Sequence, residues 1–292
     1  MISGDDVLRY VPFAALHDGQ RYLVERYALS SYNPTTRDVV VSQPTRPQWR
    51  VAAFGATQER PLLGFTALPD VATELRAVVR QDGEQLGALP GERKLDAEFT
   101  RNSLSQALRK RYPAVHVASH FRLVFNDPNK SVMLLGDGQT LPIGEFTGNP
   151  VDFRLIDIDL LTLSACETAV PAGHDSATGM EVESLSALVH QAGARSVLAT
   201  LWPVADRATA SFMGRFYGYL SNNSLSKANA LSRAQQDFIQ GRAAPEIGRE
   251  QGFRGRGATV VGSEAEQRTT TTPSDLTHPY FWAPFTLLGN WM

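Results

Sequence analysis

Short apolar segments alternate with amphipathic ones through most of the chain. Four segments are almost wholly apolar and too short for helices, which is typical of strands covered on both faces of a sheet. These predicted strands are residues 50–55, 115–119, 159–165 and 196–201. Apolar positions that recur every three or four residues predict helices at 71–81, 96–110, 180–192, 206–220 and 226–240. Strands that alternate with helices predict an α/β fold with a doubly wound, mainly parallel sheet and helices on both faces.

Three further stretches complete the predicted organisation. Residues 7–13 and 21–29 flank an Asp18-Gly19 pair, which favours the tight turn of an N-terminal β-hairpin. Residues 241–275 contain many glycines and a run of four threonines but little apolar periodicity, which predicts a flexible insertion. The aromatic segment 278–288 is expected to dock as a final strand. We expect residues 1–292 to form a single domain.

The composition excludes several classes of protein. The chain has 28 Lys and Arg against 30 Asp and Glu, so charge gives no reason to expect nucleic acid or an anionic membrane as a partner. A single cysteine excludes an intramolecular disulfide and any metal site built from several cysteines. No apolar run is long enough to span a bilayer, and the first residues lack the pattern of a signal peptide. The sequence also lacks the Gly-rich motifs of nucleotide sites and a His-Glu-x-x-His metal motif. We therefore expect a cytoplasmic protein without a cofactor or bound metal.

A histidine and the lone cysteine follow two consecutive predicted strands. In a parallel sheet the carboxyl ends of the strands meet at one edge, so His120 and Cys166 are expected to lie close together there. A cysteine thiolate is a nucleophile, and an imidazole can handle the protons of acyl transfer. The backbone N–H groups of Cys166 and Phe121 are candidate donors to the oxyanion. His174 is an alternative base, and a small apolar packing role is the alternative for Cys166.

Three acidic residues near the same edge are candidates for a substrate pocket. Glu167 and Asp175 follow the nucleophile strand, and Asp206 follows the last predicted parallel strand. An acidic pocket would select Lys or Arg before the scissile bond. The alternative role for Asp206 is to cap the amino end of the helix that begins there.

The segments around the two candidate catalytic residues resemble those of CHAT domains, which are caspase-like cysteine peptidases related to separase. His120 lies in Val-His-Val-Ala-Ser-His-Phe and Cys166 in Leu-Leu-Thr-Leu-Ser-Ala-Cys-Glu-Thr-Ala. The resemblance continues almost along the whole chain, in blocks at 8–16, 179–181, 193–197, 201–206, 216–217, 234–235 and 278–285. It implies a caspase-like fold, a His120–Cys166 dyad, and a protein or peptide as substrate.

The sequence departs from that family in two ways. Family members usually have Gly after the dyad histidine, where this chain has Phe121, whose side chain could narrow the cleft. CHAT domains also often accompany TPR or other sensor repeats, and the chain contains none. It is therefore expected to be either a stand-alone peptidase or a piece of a larger protein, and a TPR-type or other sensor protein is a candidate partner. Two alternatives to a peptidase stay open at this point: a catalytically inactive interaction or scaffold module on the same fold, and a cysteine-dependent hydrolase or transferase for small molecules.

Overall fold

The computed structural model describes residues 1–3, 8, 11–32, 47–124, 127–168, 188–190, 192–243 and 275–292, with the backbone alone at 165–168 and 206. Within these residues, nine strands form one mixed sheet. Its centre consists of parallel strands in the order β1-β4-β7-β8, where β1 is Val51–Gly55, β4 is Ala114–Arg122, β7 is Leu160–Thr168 and β8 is Ser196–Thr200. All four strands predicted from apolar segments are confirmed, as is the mainly parallel α/β sheet.

The remaining strands extend this centre at its sides. β2 (Val79–Arg80) and β3 (Leu89–Leu95) continue the sheet in parallel beyond β1, and β9 (Phe285–Gly289) is antiparallel to β8. β5 (Val132–Leu134) and β6 (Thr140–Pro142) form an antiparallel pair joined to the end of β4. The aromatic tail therefore docks as predicted, although its strand starts only at Phe285, after a 3₁₀ turn at Pro279–Phe281.

Five helices cover the two faces of the sheet in the described residues. They are α1 (Val71–Val78), α2 (Arg101–Arg109), α3 (Ile143–Gly148), α4 (Asp206–Leu220) and α5 (Lys227–Ile239). Alternate residues of β4 face opposite layers: Ala114 and Ala118 pack with α1, α4 and α5, whereas Val115 and Val117 pack with α2 and α3. Strands covered on both faces must be apolar throughout, which explains why the sequence pattern revealed them.

Three further predictions, for the N-terminal hairpin, the insertion and the helix at 180–192, have different outcomes. The N-terminal β-hairpin is reduced to its turn: Gly19 has a φ of +95°, and one bridge joins His17 to Tyr22. The flanking residues form 3₁₀ turns at Phe13–Ala15 and Leu23–Glu25 instead of strands, so the predicted hairpin strands are wrong there. The insertion at 241–275 lies almost wholly outside the described residues, and so does most of the helix predicted at 180–192.

Two close interactions tie the outer elements to the core. In β3, Gly91 lies so near β1 that a Cβ atom would stand 1.8 Å from the Val51 oxygen, so any side chain would force the strands apart. In α5, the buried Asp237 accepts hydrogen bonds from three side chains: Arg215 at 2.9 Å, Arg242 at 2.8 Å and Tyr219 at 2.8 Å. This cluster fixes the carboxyl end of α5 against α4.

Candidate active site

An irregularity in the pairing of β4 and β7 lies at the predicted dyad. Ser119 is opposite Ala165 and Phe121 is opposite Thr168, so two residues of β7, Cys166 and Glu167, lie opposite His120 alone. Such a bulge re-aims side chains at a strand end and is frequent beside active sites. His120 and Cys166 thus lie within adjacent parallel strands, near their carboxyl ends, whereas the sequence analysis placed both just beyond the ends. The Cys166 side chain lies outside the described residues.

The His120 imidazole is held in a defined orientation. Its side chain is buried, with the residue 1% exposed, and Nε2 lies 2.7 Å from the carbonyl oxygen of Thr66. A carbonyl oxygen can only accept a hydrogen bond, so Nε2 carries the proton in the neutral ring and Nδ1 carries the lone pair. The Phe65 ring stacks on the imidazole with 5.0 Å between centroids and 19° between planes. The neutral imidazole is therefore held as the tautomer whose Nδ1 can accept a proton.

Both contacts come from the loop that connects β1 with α1, residues 56–70, here called the β1–α1 loop. Asp96, at the end of β3, accepts hydrogen bonds from the Thr57 N–H and hydroxyl, each at 2.7 Å. Asp96 does so from a left-handed backbone conformation, with a φ of +49°. Within the loop, a single bridge pairs Arg60 with Phe65. Gly55 ends β1 at the same edge, so the loop begins beside the dyad strands.

Phe121 does not narrow the cleft by its bulk. Its side chain is 1% exposed and packs in the layer formed by α2 and α3, the face opposite to that of Ala118. Its backbone is paired on one side with Met133 of β5 and on the other with Thr168 of β7. The steric objection drawn from the missing glycine therefore does not hold, and the oxyanion roles of the Phe121 and Cys166 N–H groups stay predictions.

The three acidic candidates for a substrate pocket stay untested. Asp175, like the alternative base His174, lies outside the described residues, and so do the side chains of Glu167 and Asp206. The backbone places Asp206 as the first residue of α4 and gives the N-cap position to Ala205, so the predicted cap at Asp206 is wrong. Two hydrogen bonds attach the preceding segment to Tyr280. The Trp202 indole donates to the Tyr280 carbonyl at 3.0 Å, and the Tyr280 hydroxyl donates to the Pro203 carbonyl at 2.9 Å.

A second histidine of β4 forms a buried polar cluster that the sequence analysis missed. His116 Nε2 lies 3.0 Å from Glu74 Oε1 on α1, and neither side chain is exposed. The separation is that of an ion pair, but the angles fall short of an aligned hydrogen bond. Tyr217 of α4 contacts the His116 ring edge-on and shares a 2.7 Å hydrogen bond with Thr162 of β7. Burial raises the pKa of Tyr217 well above its ordinary value.

Neither a metal centre nor a membrane span is found in the part of the chain that the structure describes. There, no three His, Cys, Asp or Glu residues are grouped as metal ligands would be. The helices in the same residues are too short or too polar to cross a bilayer. The arrangement of His120 beside the Cys166 strand thus remains the chemical feature on which a functional assignment depends.

Comparisons with known proteins identify the family of the chain. No curated protein matches the chain. Among solved structures it is similar to pyridoxal kinase from Staphylococcus aureus in complex with pyridoxal, at 13% identity and a TM-score of 0.29, over 66% of this chain and 87% of the kinase. The same enzyme in complex with AMP-PCP gives 12% identity and a TM-score of 0.29, over 66% and 87%. The model of the CHAT domain matches residues 1–290, and the chain therefore belongs to the CHAT domain family.

Proposed function

We propose that the protein is a caspase-like cysteine endopeptidase in which Cys166 is the nucleophile and His120 the base. The observation that carries the proposal is the position of the His120 imidazole. His120 lies on the strand next to that of Cys166, and the Thr66 carbonyl holds its ring by a hydrogen bond. Membership of the CHAT family, a caspase-like peptidase family, supports peptide bonds as the substrate class. A reducing compartment keeps a free thiol reduced, which is compatible with the expected cytoplasmic location.

In the proposed reaction, His120 Nδ1 takes the proton of the Cys166 thiol. The thiolate attacks the scissile carbonyl carbon and forms a tetrahedral oxyanion, to which the N–H groups of Cys166 and Phe121 donate. The imidazolium then gives its proton to the leaving amine as the carbon–nitrogen bond breaks. Water attacks the resulting thioester with His120 as its base, and release of the carboxylic acid restores the thiol.

The acidic residues Glu167, Asp175 and Asp206 are proposed to line the pocket for the residue before the scissile bond, which would be Lys or Arg. The natural substrate is proposed to be a protein, and a sensor protein such as one with TPR repeats is proposed to control access to the site. The burial of His120 supports this proposal, because a substrate would reach the imidazole only after the residues that cover it move.

A peptide library with every residue type before the cleavage site tests the proposal. Wild-type protein is expected to cleave after Lys or Arg, and Cys166→Ala and His120→Ala each to lower kcat/KM by roughly 10⁴-fold or more. His17→Ala is the matched control, because this histidine is exposed and lies in the turn near the amino terminus, and it should leave kcat/KM unchanged. Cleavage that survives Cys166→Ala would refute the proposal.

The burial of His120 equally fits a second candidate, an inactive interaction module. In that case Cys166 would be an ordinary buried thiol, and its slow alkylation would not depend on His120. A peptidase instead requires a thiol whose reactivity at neutral pH falls when His120 is replaced. Since Cys166 is the only cysteine of the chain, alkylation reports on it without interference.

A further inference from the structure

We propose that Arg122 is a positioning residue for His120, acting through the Phe65 ring and the backbone of the β1–α1 loop. The proposal rests on the proposed function, because it concerns the imidazole that would activate Cys166. Arg122 ends β4, two residues after His120. Its side chain contacts Leu63 and Phe65 of the β1–α1 loop, and its effect on His120 would pass through that loop.

The contacts form a short chain from Arg122 back to the imidazole. The Arg122 guanidinium donates a hydrogen bond to the Leu63 carbonyl and lies over the Phe65 ring, with Cζ 4.8 Å from the ring centroid. Phe65 stacks on His120, and the carbonyl of Thr66, the next residue, accepts the bond from Nε2. His120 and Arg122, both in β4, therefore contact one four-residue stretch of the loop, 63–66.

The tip of the loop contributes little burial. Leu62 is fully exposed at the tip, whereas Phe65 is only 2% exposed. The segment is held internally by two backbone hydrogen bonds between Arg60 and Phe65 and by a 3₁₀ turn at Pro61–Leu63, whereas Arg122 and His120 attach it to β4. A planar guanidinium can donate in its plane to a carbonyl while its face covers an aromatic ring, and a lysine ammonium cannot reproduce both contacts.

Loss of Arg122 is therefore expected to loosen Phe65 and Thr66, and with them the imidazole. A thiol beside a well-placed imidazolium ionises at a lower pH than an isolated thiol, for which the value is about 8.5. A loosened imidazole moves this ionisation to higher pH. The acid limb of the alkylation profile of Cys166 should move in the same direction.

The experiment measures the rate of alkylation of Cys166 by iodoacetamide across the pH range. For Arg122→Gln we expect a fall of about tenfold near pH 6.5, which corresponds to a shift of about one pH unit, and a rate within about twofold of wild type near pH 9.5. Phe65→Leu should shift the profile in the same direction and keeps an apolar side chain in the buried position. Arg50→Gln is the matched control, because Arg50 makes a similar contact with Tyr112, 4.9 Å from its ring centroid, at the amino end of β1.

A cycle with His120→Ala separates positioning from a general loss of structure. In the His120→Ala background, Arg122→Gln should add no further shift, whereas a general loosening would change the rate at all pH values. An unshifted profile for Arg122→Gln, or an equal shift for Arg50→Gln, would overturn the positioning role and leave the proposed peptidase intact. An unshifted profile for His120→Ala itself would overturn the proposed dyad and the positioning role with it.

Discussion

Replacing Glu74 by Leu would leave the His116 imidazole buried without its carboxylate partner. The two side chains are wholly buried and 3.0 Å apart, at the contact between α1 and the sheet. Leaving a buried polar group without its partner costs about 1–3 kcal/mol, since the remaining group has neither water nor a partner. Taking about 2 °C per kcal/mol for a chain of this size, the melting temperature should fall by roughly 2–6 °C.

The double variant Glu74→Leu/His116→Leu tests whether that cost belongs to the pair. Replacing both partners by apolar side chains of similar volume is often neutral or stabilising, so the double variant should regain about 1 kcal/mol or more over the single one. Because the residues are in contact, the cycle isolates their coupling. Lys110→Gln is the control, as it breaks a surface pair with Glu92 that is expected to contribute no more than about 1 kcal/mol.

Thermal and urea unfolding, monitored by circular dichroism, give both quantities. The reasoning is refuted if Glu74→Leu unfolds at the wild-type midpoint, because the pair would then contribute nothing. It is also refuted if the double variant is no more stable than Glu74→Leu, since the loss would then come from packing and not from an orphaned imidazole. An unchanged slope of free energy against urea would show that the variants unfold from equally compact states.

Two further predictions concern buried charges in α5. Burial alone would raise the pKa of Asp237, but hydrogen bonds from Arg242, Tyr219 and Arg215 outweigh it and hold the pKa below the ordinary value of 3.8. The ionised carboxylate therefore stabilises the fold above pH 3.8, and this contribution is lost as the pH falls through the lower pKa of the folded state. When the free energy of unfolding is measured against pH in acid, Asp237→Asn should lose less stability than wild type. Burial lowers the pKa of Lys227 from its ordinary 10.5 to about 8, although the charge of Asp159 opposes this. Between about pH 8 and 10.5 the unfolded chain therefore binds one more proton than the folded chain, and the free energy of unfolding should rise with pH. Lys227→Met should abolish that rise and raise the melting temperature at pH 7, and a retained rise would refute the role of Lys227.

The sequence alone predicted the central sheet because its strands are apolar on both faces. It missed β3, whose residues Gly91–Lys94 are mostly polar, since a strand near the sheet edge needs no apolar pattern. Its place follows from the close approach of Gly91 to Val51, which is a contact distant in sequence. The N-terminal hairpin failed for the converse reason: the Asp18-Gly19 turn forms locally, but among the residues that the structure describes there the pairing of its two arms does not extend beyond one bridge.

The sequence by itself also determined the candidate chemistry, through one cysteine and one histidine at the ends of consecutive strands. Only the tertiary structure decided what holds the histidine. The Thr66 carbonyl and the Phe65 ring lie more than fifty positions before His120, and no local pattern marks a backbone carbonyl as a hydrogen-bond acceptor. In the sequence, Glu74 likewise has the pattern of an exposed polar residue on an amphipathic helix. Only the tertiary structure shows that it is buried against His116. Periodicity reports which residues are covered, whereas the partner that covers each one depends on how distant segments pack.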